Sequence, residues 1–578
     1  MTSPTDPQTS AAVAPVRRSR RDVTVRALAI LIPLVILGVA AWQYRWMSDD
    51  GFINLRVVRN IADGHGPVFN AGERVEASTS PLWVWTLWLA DLVIPLRLEW
   101  IAVLTGITLT LGGVAAACMG ALRLHDRNTS RDWWAPVGAM VLVAIAPMWK
   151  FSSSGLENGL TFAWIGACLL ALATWARRDS RAPWWTAMLL GLGPLVRPEL
   201  GLLSIALVVV VVVGETPRRW LRSIGFATLA FALPLAYEIF RMGYYASLVP
   251  NSALAKEASR PYWSAGWTYL RETVNPYWLW VPLLVLGVGA YLPLLLRGSA
   301  RPETRRTRLV LVTFLLLGLV TALYLVRVGG DFMQARLLLP SLFMICAPVA
   351  VIPIRRETVI ALGVIPWAVV AIASLRSGAD QPRAFGPDTA NAITVADFGF
   401  QAGSATRAWF DGRGVYFLEH RLPGTPSPHD PVVANYGIGV ESYALGTGTY
   451  VLDLLGLGDA FTSHLRLDRR GTIAHEKPLP FPWIPARTLA PGSSVSEGDF
   501  VLPKFFLARR IDRPGTDTFD QRVADARVAL TCGELRTFMG HITKPLSASQ
   551  FIDNLTSAPS NTRFRIAPEP REARRQFC

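Results

Sequence analysis

Apolar runs recur along the first 375 residues of this chain, and they restrict its fold more than any other feature. About eleven of them are candidates for membrane crossings, near 26–44, 99–121, 135–149, 158–176, 183–196, 200–214, 222–240, 276–296, 308–327, 337–354 and 357–374. A helix needs about 20 apolar residues to cross a bilayer. The two runs that flank Arg197-Pro198-Glu199 have only about 14 residues each, so they predict a tilted hairpin or a re-entrant element. The pattern as a whole predicts a mostly α-helical, polytopic membrane protein.

The basic residues predict on which side of the membrane each connection lies. The formal net charge is +15, but the arginines form short clusters between apolar runs, which is typical of topology signals and lipid contacts rather than of a nucleic-acid-binding face. If the apolar piece 81–96 lies flat on the outer surface, all the Arg-rich loops fall on the side of the basic N-terminal tail, at 123–131, 177–181, 217–222, 297–308 and 355–356. Because cytoplasmic loops are rich in Lys and Arg, we predict a cytoplasmic N-terminus and an extracytoplasmic C-terminal region.

Composition divides the chain into three regions. Residues 1–25 are predicted to be a cytoplasmic tail and residues 26–375 the transmembrane domain, in which 45–98 is the first extracytoplasmic loop with its juxtamembrane helices. Residues 376–578 are rich in Gly, Pro and Asp, and their short alternating runs predict a β-rich α+β extracytoplasmic domain with one helical stretch near 520–539. In an extracytoplasmic domain, Cys532 and Cys578 can form a disulfide.

Acids, cations and aromatic rings are concentrated in the connections predicted to lie outside. Asp49 and Asp50 directly follow the first apolar run, and acids at a membrane are functional candidates because burying them is costly. The other outer connections hold Glu157, Arg197, Glu199, Tyr244, Tyr245, Lys256, Asp331 and Arg336. Cations can neutralise a phosphate leaving group, a carboxylate can act on an acceptor hydroxyl, and aromatic rings can stack on sugars. This set predicts an enzyme that acts on a lipid-linked sugar.

Each of these residues also has a purely structural interpretation. A carboxylate can cap a helix, and neighbouring opposite charges can form a local ion pair. The structural alternatives are a turn at Asp50-Gly51 with Asp49 as a helix cap, a cap for Glu157, an internal pair for Arg197 with Glu199, a turn shaped by Asp331 with Arg336 as its partner, and an exposed pair for Lys256 with Glu257. The sequence contains no HxxxH or CxxC pair, so no metal site is predicted, although a divalent cation is left open.

Several stretches resemble the GT-C glycosyltransferases, which use polyprenyl-phosphate sugars. An acidic pair after the first span, followed by an interfacial helix, is the shared arrangement. The similarity is greatest to the terminal β-(1→2)-arabinofuranosyltransferases of mycobacterial cell-wall arabinan, in the stretches SDDGFINLRVVRN, GHGPVFNAGERVEASTSPLW, SSGLE, RPE, RMGYYASLVPNSALAKE and GGDFMQARLLLP. It covers most of the membrane domain, and VLDLLGLGDAFTSHL and IAHEKPLP extend it into the C-terminal region.

The resemblance implies a substrate pair. The donor would be decaprenyl-phosphoryl-arabinofuranose and the acceptor the non-reducing ends of arabinogalactan or lipoarabinomannan, with the outer domain acting like a carbohydrate-binding module. No cofactor is expected beyond this lipid-linked donor, and the expected partners are donor, glycan acceptor and membrane lipids, without nucleic acid. The protein would be a monomer in the plasma membrane with its site outside. The alternatives are a polyprenyl-phosphate-mannose-dependent mannosyltransferase of the same fold and a non-catalytic envelope or motility scaffold.

The resemblance also implies site residues. Asp49 and Asp50 match the acidic pair of the family, and Asp49 is predicted to be the catalytic carboxylate. Residues predicted to bind the donor are Arg56, His65, Arg74, Glu157, Arg197, Glu199, Tyr244, Tyr245, Asn251, Lys256, Asp331 and Arg336, and those predicted to bind the acceptor are Trp83, His475 and Glu476. A β-linked donor and a β-linked product would mean retention of configuration. A role as nucleophile or in stabilising an oxocarbenium ion then competes with that of a simple base.

Overall fold

The structure is a computed structural model that describes residues 20–125, 133–177, 181–215, 220–257, 260–296, 302–354, 358–376, 432–471, 473, 475–489 and 518–578. Up to residue 376 its helices are α1 (Arg20–Gln43), α2 (Asp49–Ala62), α3 (Pro81–Asp91), α4 (Leu98–His125), α5 (Val137–Val143), α6 (Ala146–Lys150), α7 (Asn158–Ala176), α8 (Trp184–Gly191), α9 (Gly193–Val196), α10 (Gly201–Gly214), α11 (Trp220–Tyr245), α12 (Asn251–Ala255), α13 (Trp263–Val274), α14 (Trp280–Leu286), α15 (Leu292–Leu296), α16 (Pro302–Val328), α17 (Leu339–Cys346) and α18 (Thr358–Arg376). Single 3-10 turns occupy Pro198–Leu200, Asn275–Tyr277, Arg336–Leu338 and Ala347–Val349, and a π-helical turn occupies Gly287–Tyr291.

Five helices of the described ranges are long and apolar enough to cross a membrane, namely α1, α4, α7, α11 and α16. They correspond to the predicted runs near 26–44, 99–121, 158–176, 222–240 and 308–327. The segments Trp263–Tyr277 and Trp280–Tyr291 form a pair bent by 82°, which would be a sixth span if the pair crosses as one unit. The mostly helical, polytopic membrane architecture is therefore confirmed. The count of eleven crossings is not confirmed and stays a prediction.

Proline explains why some predicted runs are not continuous helices. The run 135–149 is divided into α5 and α6 by an extended residue at Ile145, two positions before Pro147, which has no N–H to continue the helical ladder. Arg197 likewise is extended before Pro198 and separates two short apolar segments, as the short predicted runs around it anticipated. The piece 81–96 contains the 11-residue helix α3, which is too short to cross.

Glycines bring α4 and α7 into backbone contact, and this contact positions the start of α7. A Cβ atom built on Gly159 would lie 2.3 Å from the carbonyl oxygen of Gly106, and one on Gly166 would lie 2.2 Å from that of Gly113. The two glycines on each helix are seven residues apart, so both pairs lie along one seam. Small residues allow such close packing of membrane helices. Glu157, which precedes α7, is thereby held near the start of α4.

The described residues of the C-terminal region, 432–471, 473, 475–489 and 518–578, are mainly helical. Its helices are α19 (Val440–Leu445), α20 (Ala460–Ser463), α21 (Trp483–Thr488), α22 (Phe519–Leu530), α23 (Gly533–Thr543), α24 (Ala548–Arg563) and α25 (Pro570–Phe577). The strands β3 (Val432–Asn435) and β4 (Tyr450–Asp453) form one parallel pair, as β1 (Trp133–Ala135) and β2 (Ile352–Ile354) form one antiparallel pair in the membrane region. The predicted β-rich character is thus not confirmed in the described residues, whereas the helical stretch near 520–539 is.

A compact apolar core holds this region together. Trp483 is fully buried and packs on Phe461, with 4.7 Å between ring centroids. Phe538 stacks on Phe564, with 5.1 Å between centroids, and belongs to the same core. Among the described residues, the short alternating runs supply two strands, and helices contribute most of the rest of this core. The Cys532–Cys578 disulfide that the sequence allowed is present.

Candidate active site

The acidic pair lies in the first turn of α2. The Ser48 hydroxyl accepts a hydrogen bond from the Gly51 amide (3.0 Å), so Ser48 is the cap and the helix begins at Asp49 itself. The interpretation of Asp49 as a cap is therefore wrong. Ser48 also donates to the Ser154 carbonyl through its amide (2.9 Å) and its hydroxyl (3.0 Å). These bonds hold the segment that precedes Glu157 against the start of α2.

Arg336 lies at the centre of a buried group of carboxylates. Its guanidinium is 3.4 Å from Glu157, 3.5 Å from Asp331 and 3.7 Å from Asp50. Arg336 is 4% exposed, and the side chain of Asp50 is 20% exposed and the most accessible of the three acids. The Nε atom of Arg336 has no hydrogen-bond partner among the described residues. Three connections that the sequence predicted to share one side of the membrane therefore meet at this residue.

Arg197 extends the same group. Its guanidinium bonds both Glu157 and Glu199. Glu157 occupies the N-cap position of α7, but its side chain makes no cap bond to that helix and pairs with Arg197 and Arg336 instead. Burial would raise the pKa of Glu157, but Arg197 and Arg336 outweigh burial and lower it. The pairs Arg197–Glu199 and Asp331–Arg336 both exist, but they are parts of one network rather than isolated local pairs.

Lys256 and His475 also influence the charge of Asp50. Lys256 is half-buried at the end of α12, and its charge, like that of His475, favours ionisation of Asp50. His475 comes from the C-terminal region, and its ring lies edge-on to Phe332 with 5.1 Å between centroids. The idea of an exposed Lys256–Glu257 pair is wrong, because Glu257 is buried and accepts from Lys477 at 2.7 Å.

The two adjacent aspartates have different surroundings. The oxygens of Asp49 accept hydrogen bonds from the backbone amides of Val440 (2.8 Å) and Gly439 (3.1 Å) in the C-terminal region, whereas Asp50 faces Arg336. Burial raises the pKa of Asp49 to about 6, and the negative charge of Asp50 adds to the shift while the two amides oppose it. Burial also raises the pKa of Asp50, although Arg336 and Lys256 oppose this. The site therefore combines carboxylates and cations in a largely water-excluded space.

Comparison with known proteins assigns the family. The chain is 32% identical to a terminal β-(1→2)-arabinofuranosyltransferase of Mycobacterium tuberculosis, over 94% of this chain and 96% of that protein. It is 30% identical to a protein of the same name from Corynebacterium glutamicum, over 95% of this chain and 87% of that protein. The chain belongs to the terminal β-(1→2)-arabinofuranosyltransferase family. No protein-family model matches it.

Family membership confirms the resemblance found in the sequence and makes the chain a glycosyltransferase. In this terminal β-(1→2)-arabinofuranosyltransferase homologue, the structure brings together seven of the residues predicted from sequence to form the site. They are Asp50, Glu157, Arg197, Glu199, Lys256, Asp331 and Arg336, with His475 beside them. Asp49 adjoins the group but is bonded to the C-terminal region.

Two predicted donor-binding arginines of this homologue instead tie the first loop to the C-terminal region. The guanidinium of Arg56 has five N–H donors. They go to the Asn70 amide oxygen and to four backbone carbonyls, three of which belong to the C-terminal region. Arg74 donates to the carbonyls of His541 (2.6 Å) and Lys544 (2.5 Å). Both contacts fasten one region to the other, so these arginines lie outside the Arg336 group.

The other predicted residues also make structural contacts. Asn251 donates to the carbonyls of Gly456 and Leu457, the Trp83 indole donates to the Gly155 carbonyl, the His65 ring bonds Asn60, the Tyr245 hydroxyl donates to the Pro67 carbonyl, Tyr244 stacks on Phe240, and Glu476 pairs with Arg470. These contacts lie outside the Arg336 group, and the binding roles predicted for these residues stay predictions. Sequence spacing could not distinguish these residues from those of the Arg336 group, because most residues of both groups lie in the connections predicted to be outside.

Tyr269 is a residue that the sequence did not single out. Its hydroxyl donates to the Met333 carbonyl and accepts from the Leu337 amide, each at 3.0 Å, so it joins both ends of the loop that carries Arg336. Gly330 lies against its ring, because a Cβ atom there would be 2.4 Å from the ring carbons. The only signal in the sequence is the Gly329-Gly330 pair, which indicates that some group approaches this backbone closely.

Proposed function

We propose that this protein transfers arabinofuranose from decaprenyl-phosphoryl-arabinofuranose to the non-reducing ends of cell-wall arabinan and forms the terminal β-(1→2) linkage. Its relatives carry the name of that activity over almost the whole chain. The observation that carries the proposal is the partly exposed Asp50 beside Arg336, within a buried network of acids and cations. The acceptors proposed are arabinogalactan and lipoarabinomannan, held by the C-terminal region.

The chemistry of the transfer matches these groups. The bond between the anomeric carbon and the phosphate oxygen breaks, a bond to the acceptor hydroxyl oxygen forms, and decaprenyl phosphate leaves while the hydroxyl proton passes to a base. Arg336 and Lys256 can stabilise the negative charge that develops on the phosphate. If the configuration is retained, a carboxylate stabilises or captures the anomeric carbon before the acceptor attacks. Asp50 is the carboxylate whose position suits either role.

We also propose that the site opens on the extracytoplasmic side of the plasma membrane. The Arg-rich connections indicate a cytoplasmic N-terminus, and an odd number of crossings would then put residues 376–578 outside. The Cys532–Cys578 disulfide is consistent with an oxidising compartment. A cysteine introduced at Ser259 should react with an impermeant thiol reagent in whole cells, and one at Thr304 should not. Labelling at Thr304 alone would contradict this orientation.

The activity is tested with the purified full-length protein in lipid nanodiscs. Synthetic decaprenyl-phosphoryl-arabinofuranose and an arabinan oligosaccharide should yield a product with a new terminal β-(1→2) linkage by linkage analysis, also in EDTA because no cofactor is expected. The Asp50→Asn variant should be inactive, whereas Asp553→Asn, which makes the same change at an exposed acid of α24, should remain active. Transfer of mannose from polyprenyl-phosphate-mannose instead would favour the mannosyltransferase. No transfer from either donor, with Asp50→Asn tolerated in cells, would favour a scaffold.

A further inference from the structure

We infer that the two adjacent aspartates have separate tasks: Asp50 meets the substrate, whereas Asp49 is a positioning residue that fastens the C-terminal region over the site. This deepens the proposed function and rests on it. It also differs from the prediction made from sequence, in which Asp49 is the catalytic carboxylate. The inference comes from the contacts that one face of α2 makes with the C-terminal region.

Asp49 belongs to a continuous docking stripe on α2. Residues 49, 52, 56 and 59 follow a spacing of three and four, and at about 100° per residue they lie within roughly a quarter turn of the helix. Each contacts α19 or the residues beside it. Asp49 accepts hydrogen bonds from the amides of Gly439 and Val440, and Phe52 packs on Tyr443 with 5.3 Å between ring centroids. Arg56 donates to the Ser442 and Gly446 carbonyls, and Arg59 donates to the Tyr443 carbonyl at 3.1 Å. Asp49 is the first residue of this stripe.

Asp50 lies outside the stripe. Because Asp50 is one residue further along the helix than Asp49, its side chain is rotated by about 100° and points away from α19. It points instead to Arg336, with Lys256 and His475 close enough for their charges to act on it. Asp50 therefore has the cations that a sugar phosphate requires beside it, while each oxygen of Asp49 already accepts a backbone amide of the C-terminal region.

The contact between Asp49 and Gly439 leaves no space for a side chain at position 439. A Cβ atom on Gly439 would lie 1.8 Å from the Asp49 carbonyl oxygen and 2.6 Å from its carboxyl carbon. Only glycine fits between the two backbones, so substitution there must separate the C-terminal region from α2. The same C-terminal region carries His475 to Asp50, so the Asp49 contact also aligns a residue of the site.

Amide hydrogen exchange and transfer rates together test this division. In Asp49→Asn, one of the two amides would face an NH₂ group, so exchange of the 436–445 peptide should quicken by roughly tenfold, because a charge-assisted bond is lost. Gly439→Ala keeps both carboxylates and should give the same faster exchange and a partial loss of transfer. Asp50→Asn should leave exchange unchanged and reduce transfer by about 10³-fold or more.

The outcomes separate this inference from the proposed function. Unchanged exchange in both Asp49→Asn and Gly439→Ala would overturn the fastening role whether or not any sugar is transferred, because exchange needs no substrate. Full activity of Gly439→Ala, or normal transfer by Asp50→Asn, would overturn the division of tasks. Absence of transfer by the wild-type protein, with fast exchange in both variants, would count against the proposed function while leaving the fastening role supported.

Discussion

The two ends of the membrane region use arginine in opposite ways. At one end, the buried Arg336 lies among Asp50, Glu157 and Asp331, and the buried Arg197 shares Glu157 with it. We call this the acidic end, and the end that carries Arg177, Arg222 and Arg306 the basic end.

At the basic end, arginines satisfy backbone carbonyls. Arg177 donates to the Arg123 carbonyl in the last turn of α4 (2.8 Å), Arg306 donates to the Gly214 carbonyl at the end of α10 (3.2 Å), and Arg222 donates to the Ala182 carbonyl (2.7 Å). Carbonyls in the last turn of a helix have no partner within the helix, and a cation there also suits the helix dipole. In this comparison, the basic cluster bonds carbonyls at or near helix ends, whereas the acidic end buries several acids around two shared arginines.

The largest contrast is expected from removing a charge at each end. Arg336→Met would leave three acids without their shared partner, so we expect transfer to fall by about 10³-fold or more and stability to fall by about 3–5 kcal/mol. Arg177→Met, at an exposed position of the basic end, should change neither by much. Transfer assays and thermal unfolding in nanodiscs measure both. Equal effects of the two substitutions would remove the distinction between the ends.

A glutamate–arginine pair at each end provides a closer comparison. Glu157→Gln keeps a hydrogen-bond acceptor but removes the charge between Arg197 and Arg336, so transfer should fall by about 10–100-fold as these cations lose their orientation. Glu215→Gln removes the charge that pairs with Arg222 and should leave transfer nearly unchanged. Wild-type transfer by Glu157→Gln would show that the buried network is structural only.

The acidic end should also set the pH dependence. Asp49 has a pKa of about 6, so transfer should decrease as pH falls below that value and then level off near the activity of Asp49→Asn. A proton on the carboxylate removes an acceptor for the amides of the C-terminal region. The effect on stability has the opposite sign. The pKa in the folded protein exceeds the ordinary value of 3.8, so the contribution of Asp49 to stability is complete below pH 3.8 and is lost as pH rises through 6.

A pH–rate profile of the wild-type protein and of Asp49→Asn checks this prediction. The variant should have lower activity and should lack the limb near pH 6. An unchanged limb in the variant would assign the titration to another group. Unfolding measured over the same range would show whether acid inactivation reflects a loss of fold rather than a loss of the fastening contact.

The smallest effect is expected at the loop that carries Arg336. Tyr269→Phe removes the hydroxyl that joins Met333 and Leu337 and should cost about 1–3 kcal/mol. The KM for the donor should rise several-fold with little change in kcat, because Arg336 is less well placed before the reaction begins. Tyr44→Phe, at a more exposed ring, is the matched control. An unchanged KM would mean that the loop keeps its position without Tyr269.

The sequence predicted the parts of this protein that depend on local patterns. Long apolar runs became α1, α4, α7, α11 and α16, because a helix that satisfies its own backbone is the stable form of such a run in lipid. It also predicted that the connections bearing Asp50, Glu157 and Arg336 share one side. The β-rich expectation for the C-terminal region failed in the described residues because short alternating runs do not tell a strand from a buried helical turn.

Which residues of those connections meet was decided only by the tertiary structure. Arg56 and Arg336 are equally plausible phosphate ligands in the sequence, yet one is saturated by carbonyls and the other lies among acids. Asp49 and Asp50 are neighbours of identical chemistry that differ by about 100° around a helix. The sequence determined that an acidic pair follows the first apolar run. The docking of α19 decided which acid is bound to the protein itself, because that contact joins residues almost 400 positions apart.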